Sequence, residues 1–204
     1  MYSKLTDLLF TPTCLNCKRL GLALCDRCLL QLNQVKKFDL NNIDEVICAH
    51  SYEGWLRDRI IEYKSGNYQL GRGLAEVLLA KCFEPLTNIT IVPIPSSSEK
   101  IALRQIDTIG NLANQLKKLD SKIQIKKVLG FRHLVQDQVG LTRLQRAKNM
   151  QNAFRSTKAI RGQVFLLDDV VTTGSTMAAA AVALKEAGAD SIIGIGLCAS
   201  SKLH

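Results

Sequence analysis

Apolar and polar positions switch between helical and strand spacing several times along the 204-residue chain. Leu5, Leu8, Leu9 and Phe10 fall on one side of a helical turn pattern. Leu29 to Asn42 is polar, with asparagines at 33, 41 and 42, and predicts a helix end followed by a linker. The pattern changes near Val46. VICAHSYEG predicts a strand running into a turn, and Leu56 to Tyr63 a helix ending near Gly66. Gly71 to Phe83 predicts a second helix, apolar at Leu74, Ala75, Val77 and Leu78 and stopped by Pro85. Ile89 to Pro95 is a β-branched strand that Pro93 and Pro95 confine to its N-terminal half. Arg104 to Lys118 is helical, with Ile106, Ile109, Leu112, Ala113 and Leu116 on the buried side, and Lys122 to Val128 alternates as a strand. Phe131 to Phe154 is polar and basic, the pattern of a hood over an active site. Gln163 to Asp169 then predicts a strand, residues 176–187 a helix closed by Gly188, and Ile192 to Leu197 a last strand. Strands alternating with helices predict an α/β fold built on a mostly parallel sheet.

One junction in this pattern carries chemistry. The apolar run Val164–Leu167 ends on Asp168 and Asp169, and after Val170 and Val171 comes Thr172-Thr173-Gly174-Ser175-Thr176. An Ala-rich helix comes next. Loop N–H groups and a helix N-terminus present positive partial charge, the hydroxyls add donors, and Gly174 permits close backbone approach. A phosphate fits such a loop, and the carboxylates suit sugar hydroxyls or a Mg²⁺-bound sugar. The arrangement resembles the phosphoribosyl-pyrophosphate (PRPP) motif of type I phosphoribosyltransferases. The resemblance implies that the loop, Val170 and Thr172 to Thr176, holds the 5′-phosphate while Asp168 and Asp169, the candidate catalytic pair, face the ribose. In that family a strand like Ile89–Pro95 leads into the pyrophosphate loop, which makes Ser96 and Ser97 candidate pyrophosphate ligands.

A second pattern lies near the start. Cys14-x2-Cys17 and Cys25-x2-Cys28 form two knuckles within fifteen residues. Four thiolates so spaced suit tetrahedral Zn²⁺, and a closed shell makes the metal structural; a redox CxxC is the minor alternative, since a thioredoxin-type site needs one pair in a βαβ context. Cys48, Cys82 and Cys198 sit in apolar surroundings and read as buried residues. The chain divides into a four-cysteine zinc module, residues 1–45, and an α/β domain, residues 46–204.

Composition narrows the partners. The net charge is +9, and between Glu99 and Arg161 there are 14 Lys/Arg against 4 Asp/Glu, so this segment carries the whole excess. Anionic partners are favoured, and phosphate-backbone contact there would weaken steeply with salt. Lys18, Arg19 and Arg27 give the knuckles a basic surface. Arg104, Arg143 and Arg146 are candidate anion or nucleic-acid contacts. Aromatics are only 5%, so a base-stacking platform has few candidates. The start of the chain lacks a secretory pattern and no apolar run approaches a membrane span, so a cytoplasmic location is expected.

Knuckles and loop together resemble the ComF (ComFC) competence family over nearly the whole chain. LTDLLFTPTCLNC with GLALCDRCL resembles that family's N-terminus. Tyr52-Glu53-Gly54 with Leu56-Arg57 and Lys64 resembles its Y-x-G…LR…LK segment, and Val92–Pro95 its VPVP strand. Gln138, Leu141, Arg146, Asn149, Met150 and Phe154 resemble its hood. One run departs: Arg104-Gln105-Ile106-Asp107-Thr108 stands where the family shows R-G-F-N-Q. The resemblance implies a type I phosphoribosyltransferase fold with a zinc module, PRPP bound with Mg²⁺, and a role with incoming single-stranded DNA in natural transformation. Competence-machinery proteins and peripheral membrane association are further expected partners. Two alternatives stay open: an active phosphoribosyltransferase of nucleotide salvage, and a PRPP or nucleotide sensor without turnover.

Overall fold

A computed structural model describes residues 12–83, 88–104, 106–132 and 153–201. Its frame is one sheet. Strands β1 (Val35–Leu40), β2 (Ile43–Ser51), β3 (Ile89–Pro93), β4 (Ile123–Ile125), β7 (Gln163–Leu167), β8 (Val170–Val171) and β9 (Ser191–Ala199) lie in the order β1-β2-β9-β7-β3-β4, with β8 beside the end of β9. All neighbours run parallel except the hairpin β1–β2. Between β4 and β7, the short strands β5 (Leu129–Phe131) and β6 (Phe154–Ser156) form a separate antiparallel pair.

Parallel strands are covered on both faces, which explains their near-continuous apolar runs. Their period of two divides the core. Phe165 and Leu167 of β7 join Ile47, Ile91, Ile195 and Leu197 on one face, under helices α2 (Gly54–Lys64), α3 (Gly71–Cys82) and α5 (Thr108–Leu119). Val164 and Leu166 join Val46, Val92 and Ile192 on the other, under the Ala-rich α6 (Ser175–Glu186). Each helix turns its apolar stripe inward: Leu56, Ile60 and Tyr63 in α2; Leu74, Ala75, Val77 and Leu78 in α3; Ile109, Leu112, Ala113 and Leu116 in α5. Cys48, Cys82 and Cys198 are buried in these layers.

Two expected elements differ. Leu29–Asn42, expected as a helix end and linker, contains β1, and its Asn41-Asn42 joins β1 to β2 as a two-residue turn with Leu40 opposite Ile43. Asn42 takes φ +63°, which asparagine tolerates in tight hairpins. The helix expected over 104–118 starts only at Thr108, as α5, because the Asp107 carboxylate accepts the Gly110 N–H (3.0 Å) and caps it there; a separate helix, α4 (Ser98–Arg104), ends where the expected one was to begin. The N-terminal stretch to Phe10, Pro85, and the expected hood from 133 to 152 lie outside the described residues.

The knuckles dock on the three-helix face through Leu15. A Cβ on Gly73 of α3 would lie 2.6 Å from Leu15 Cγ, so only glycine admits the module at this distance. The short α1 (Asp26–Leu29) follows the second knuckle, and Trp55 at the start of α2 packs against the cysteines.

Candidate functional site

The C-terminal ends of the parallel strands meet in a cleft of about 380 Å³. Such ends are where ligands sit in open α/β sheets, because loops there diverge from strands that hold them rigidly. The acidic pair is clamped just beyond β7. The Asp168 N–H donates to the Ile195 carbonyl (3.0 Å), and the Asp169 carbonyl accepts from the N–H groups of Leu197 (3.0 Å) and Cys198 (3.3 Å). Asp168 Oδ1 also accepts the N–H of Asp169 (2.8 Å). Both carboxylates line the cleft.

Asp169 is only 7% exposed, and its Oδ1 lies 2.8 Å from Lys64 Nζ. A carboxylate so buried needs a cation, and α2 delivers one from its last residue. Tyr63, one residue earlier, fixes that helix end: its hydroxyl donates to the Thr108 carbonyl (2.9 Å) at the start of α5. Burial, and then the charge of Asp169, push the Tyr63 phenol up, so it stays a neutral donor.

The hydroxyl-rich loop leaves β8 beside the acidic pair. The N–H of Ser200 holds the Val171 carbonyl (2.9 Å), and its hydroxyl holds that of Thr172 (3.1 Å). Gly174 sits at φ +75°, and a Cβ there would also run into Leu40 of β1. Thr173 Oγ1 and Ser175 Oγ are hydrogen-bonded to each other at 2.5 Å, and the Gly174 carbonyl accepts the first helical bond of α6 from Ala178 (2.8 Å). The N–H groups before Ala178 thus lie at the positive end of a twelve-residue helix.

Of the expected site residues, Asp168, Asp169, Val170, Thr172, Thr176, Ser96 and Arg104 line the cleft. Thr173, Gly174 and Ser175 belong to the same loop without forming its wall, and Ser97 is likewise off the wall. Arg143 and Arg146 lie outside the described residues. Tyr52, Lys64, Ile94, Pro95 and Ile109 complete the lining, and sequence reasoning assigns none of them a site role. Arg104 Nη1 reaches Thr108 Oγ1 (3.4 Å), and Tyr68 Oη donates to the Arg104 carbonyl. Lys64 and Arg104 also wall a neighbouring hollow of about 540 Å³ with Ser65, Gly66, Tyr68 and Leu103. Two cations against two carboxylates suit a ligand that carries both hydroxyls and anionic groups. The departing run Arg104–Thr108 takes part: besides capping α5, Asp107 Oδ1 accepts from Ser96 Oγ (3.4 Å).

The four cysteines form the second site. Their Sγ atoms lie within 4.8 Å of one another, with Cys14–Cys25 and Cys17–Cys25 both at 3.6 Å. Zinc–sulfur bonds in a tetrahedron put sulfurs about 3.8 Å apart, so the donor set fits a metal ion and is compatible with structural zinc. Burial would raise the Cys14 thiol, but the N–H groups of Cys25, Cys17 and Asn16, with the Cys25 thiol, outweigh it and lower it to about 6. Cys28 goes the other way, pushed up to about 12 by burial and by the three neighbouring thiols. A cation in their midst would favour the thiolate at all four. Lys18, Arg19 and Arg27 around them are exposed. Among the described residues, no helix is long and apolar enough to cross a membrane. No protein-family model matches the chain, and no curated protein matches it.

Proposed function

We propose that the chain is a ComF-type protein: a type I phosphoribosyltransferase fold with a structural zinc module, binding PRPP and handling incoming single-stranded DNA in natural transformation. One observation carries the PRPP reading. Asp168 and Asp169 share a cleft with Thr172 and Thr176, at the strand ends where a phosphorylated sugar has both its hydroxyl and its anionic groups matched. In this reading the ribose hydroxyls donate to the two carboxylates, and the loop N–H and hydroxyl groups take the 5′-phosphate. Ser96, Arg104 and Lys64, which line the same cleft, would take the pyrophosphate. Mg²⁺ would arrive with PRPP, neutralising pyrophosphate charge next to the acidic pair. The DNA reading draws on the basic segment, where Lys117, Lys118, Lys122 and Lys127 are exposed.

The test is calorimetric titration of the full chain with PRPP and Mg²⁺, with and without a short single strand. We expect PRPP binding that falls about 100-fold or more in Asp168→Asn/Asp169→Asn, since each carboxylate would accept a charge-assisted hydrogen bond. Thermal unfolding should show that variant still folded, and unchanged PRPP affinity removes the ribose assignment. Strand binding should weaken steeply from low to physiological salt. PRPP binding without any strand interaction would instead direct the protein to base-by-base turnover assays.

A further inference from the structure

Trp55 is the single tryptophan of the chain, and its indole is placed against the four-cysteine cluster. Its Nε1 is buried and has no hydrogen-bond partner among the described residues, the one side-chain N or O atom of which that is true there. Buried donors are nearly always paired, because leaving one unmade forfeits its hydration with nothing in return. Trp55 packs on one side against the cluster of Cys14, Cys25 and Cys28, as Leu24 does, and on the other against the apolar core under the helices.

A neutral thiol is a weak acceptor, whereas a metal-bound thiolate carries charge and attracts N–H groups. Thiolates held on a metal beside Trp55 would supply the acceptor that this donor lacks among the described residues.

We propose that the Trp55 indole N–H is a hydrogen-bond donor to a metal-bound thiolate of the four-cysteine centre. Trp55 is thus a positioning residue for the metal, and it ties the centre to the first turn of α2, whose last residue, Lys64, stands in the cleft. The inference needs only a metal at the cysteines and is independent of what the cleft binds.

The decisive experiment uses the full chain, ¹⁵N-labelled and loaded with ¹¹³Cd in place of zinc. A single indole resonance is expected, showing through-bond coupling between its proton and the cadmium nucleus. Absence of that coupling overturns the proposal. A second measurement is competition with a chromophoric chelator. Trp55→Phe keeps an aromatic body but removes the donor, and should bind zinc about 10- to 100-fold more weakly. Leu24→Ala trims the same packing without touching a donor and should lose much less. Equal losses in the two variants, or unchanged affinity in Trp55→Phe, would reduce Trp55 to packing. If Trp55→Phe fails to fold, the cadmium coupling in the unaltered chain still decides.

Discussion

The four-cysteine centre and the cleft are held together in opposite ways. The centre takes all its ligand groups from fifteen consecutive residues, backed by Leu15, Leu24 and Trp55. The cleft collects its wall from residues 52 to 176, and its best-defined contact, Lys64 to Asp169, joins positions 105 apart. A metal bound there would hold in shape a segment too short to bury much apolar surface of its own. A dispersed site needs a sheet, whose hydrogen bonds and two apolar layers place distant side chains without any ligand. The difference teaches where each is vulnerable: the centre to loss of one donor atom, the cleft to anything that leaves a buried charge alone.

The largest effect is expected at the centre. Cys25→Ser removes the thiol that lies 3.6 Å from both Cys14 and Cys17. Structural zinc contributes on the order of 10 kcal/mol to small sites, so the module should lose its metal and unfold while the sheet keeps its circular dichroism. Metal analysis checks this, and a variant retaining one ion per chain would sink the four-thiolate reading. The cleft is sharpened next. Lys64→Met strands the Asp169 carboxylate, 9% exposed at the side chain, and should cost about 2–4 kcal/mol in denaturant unfolding. Adding Asp169→Asn should restore much of that loss, because the uncompensated charge is gone; a purely additive double variant would show that the pair does not interact. Smaller still, Gly174→Ala should cost about 1–3 kcal/mol, since it strains φ +75° and drives a methyl into Leu40. A melting temperature unchanged by that substitution would mean the loop adopts another path.

These contrasts also decide what could be read in advance. The knuckles and the Asp168–Thr176 run were legible because their chemistry sits in consecutive residues. β7 and β9 were legible as apolar runs with few competing readings. Strand β1 was not: VKKFDL is an edge strand, and lysines on an edge guard against pairing while they hide the alternation. The asparagine pair after it was the available hairpin signal. Arg104–Lys118 read as one helix because apolar spacing passes straight through Asp107, whose carboxylate sets the true start by capping α5. Lys64 was visible only as one residue of a resembling segment. No spacing rule connects the end of α2 to a carboxylate beyond β7; that contact exists only once the sheet order β2-β9-β7 has brought them together.

The smallest expected effect belongs to a carboxylate that serves the sheet and neither site. Asp44 Oδ2 accepts the Ser191 hydroxyl (2.7 Å) and the Ile192 N–H (2.9 Å), fixing the start of β9 to β2. The Ser191 hydroxyl, then the Ile192 N–H, hold its carboxyl below the usual range, with a lesser contribution from the Lys185 charge and some opposition from burial. A carboxyl lowered in the folded state stabilises fully above its unfolded value, about 3.9. Below that value the unfolded chain takes up the proton first, and the contribution is gone once the pH falls past the folded value. Asp44→Asn should therefore cost about 1 kcal/mol at pH 7, and the gap to the unaltered chain should close from about pH 5 toward about pH 3. Denaturant midpoints at the three pH values measure it. A gap that widens toward acid would mean that protonated Asp44 is the better partner for β9, reversing the direction of its shift.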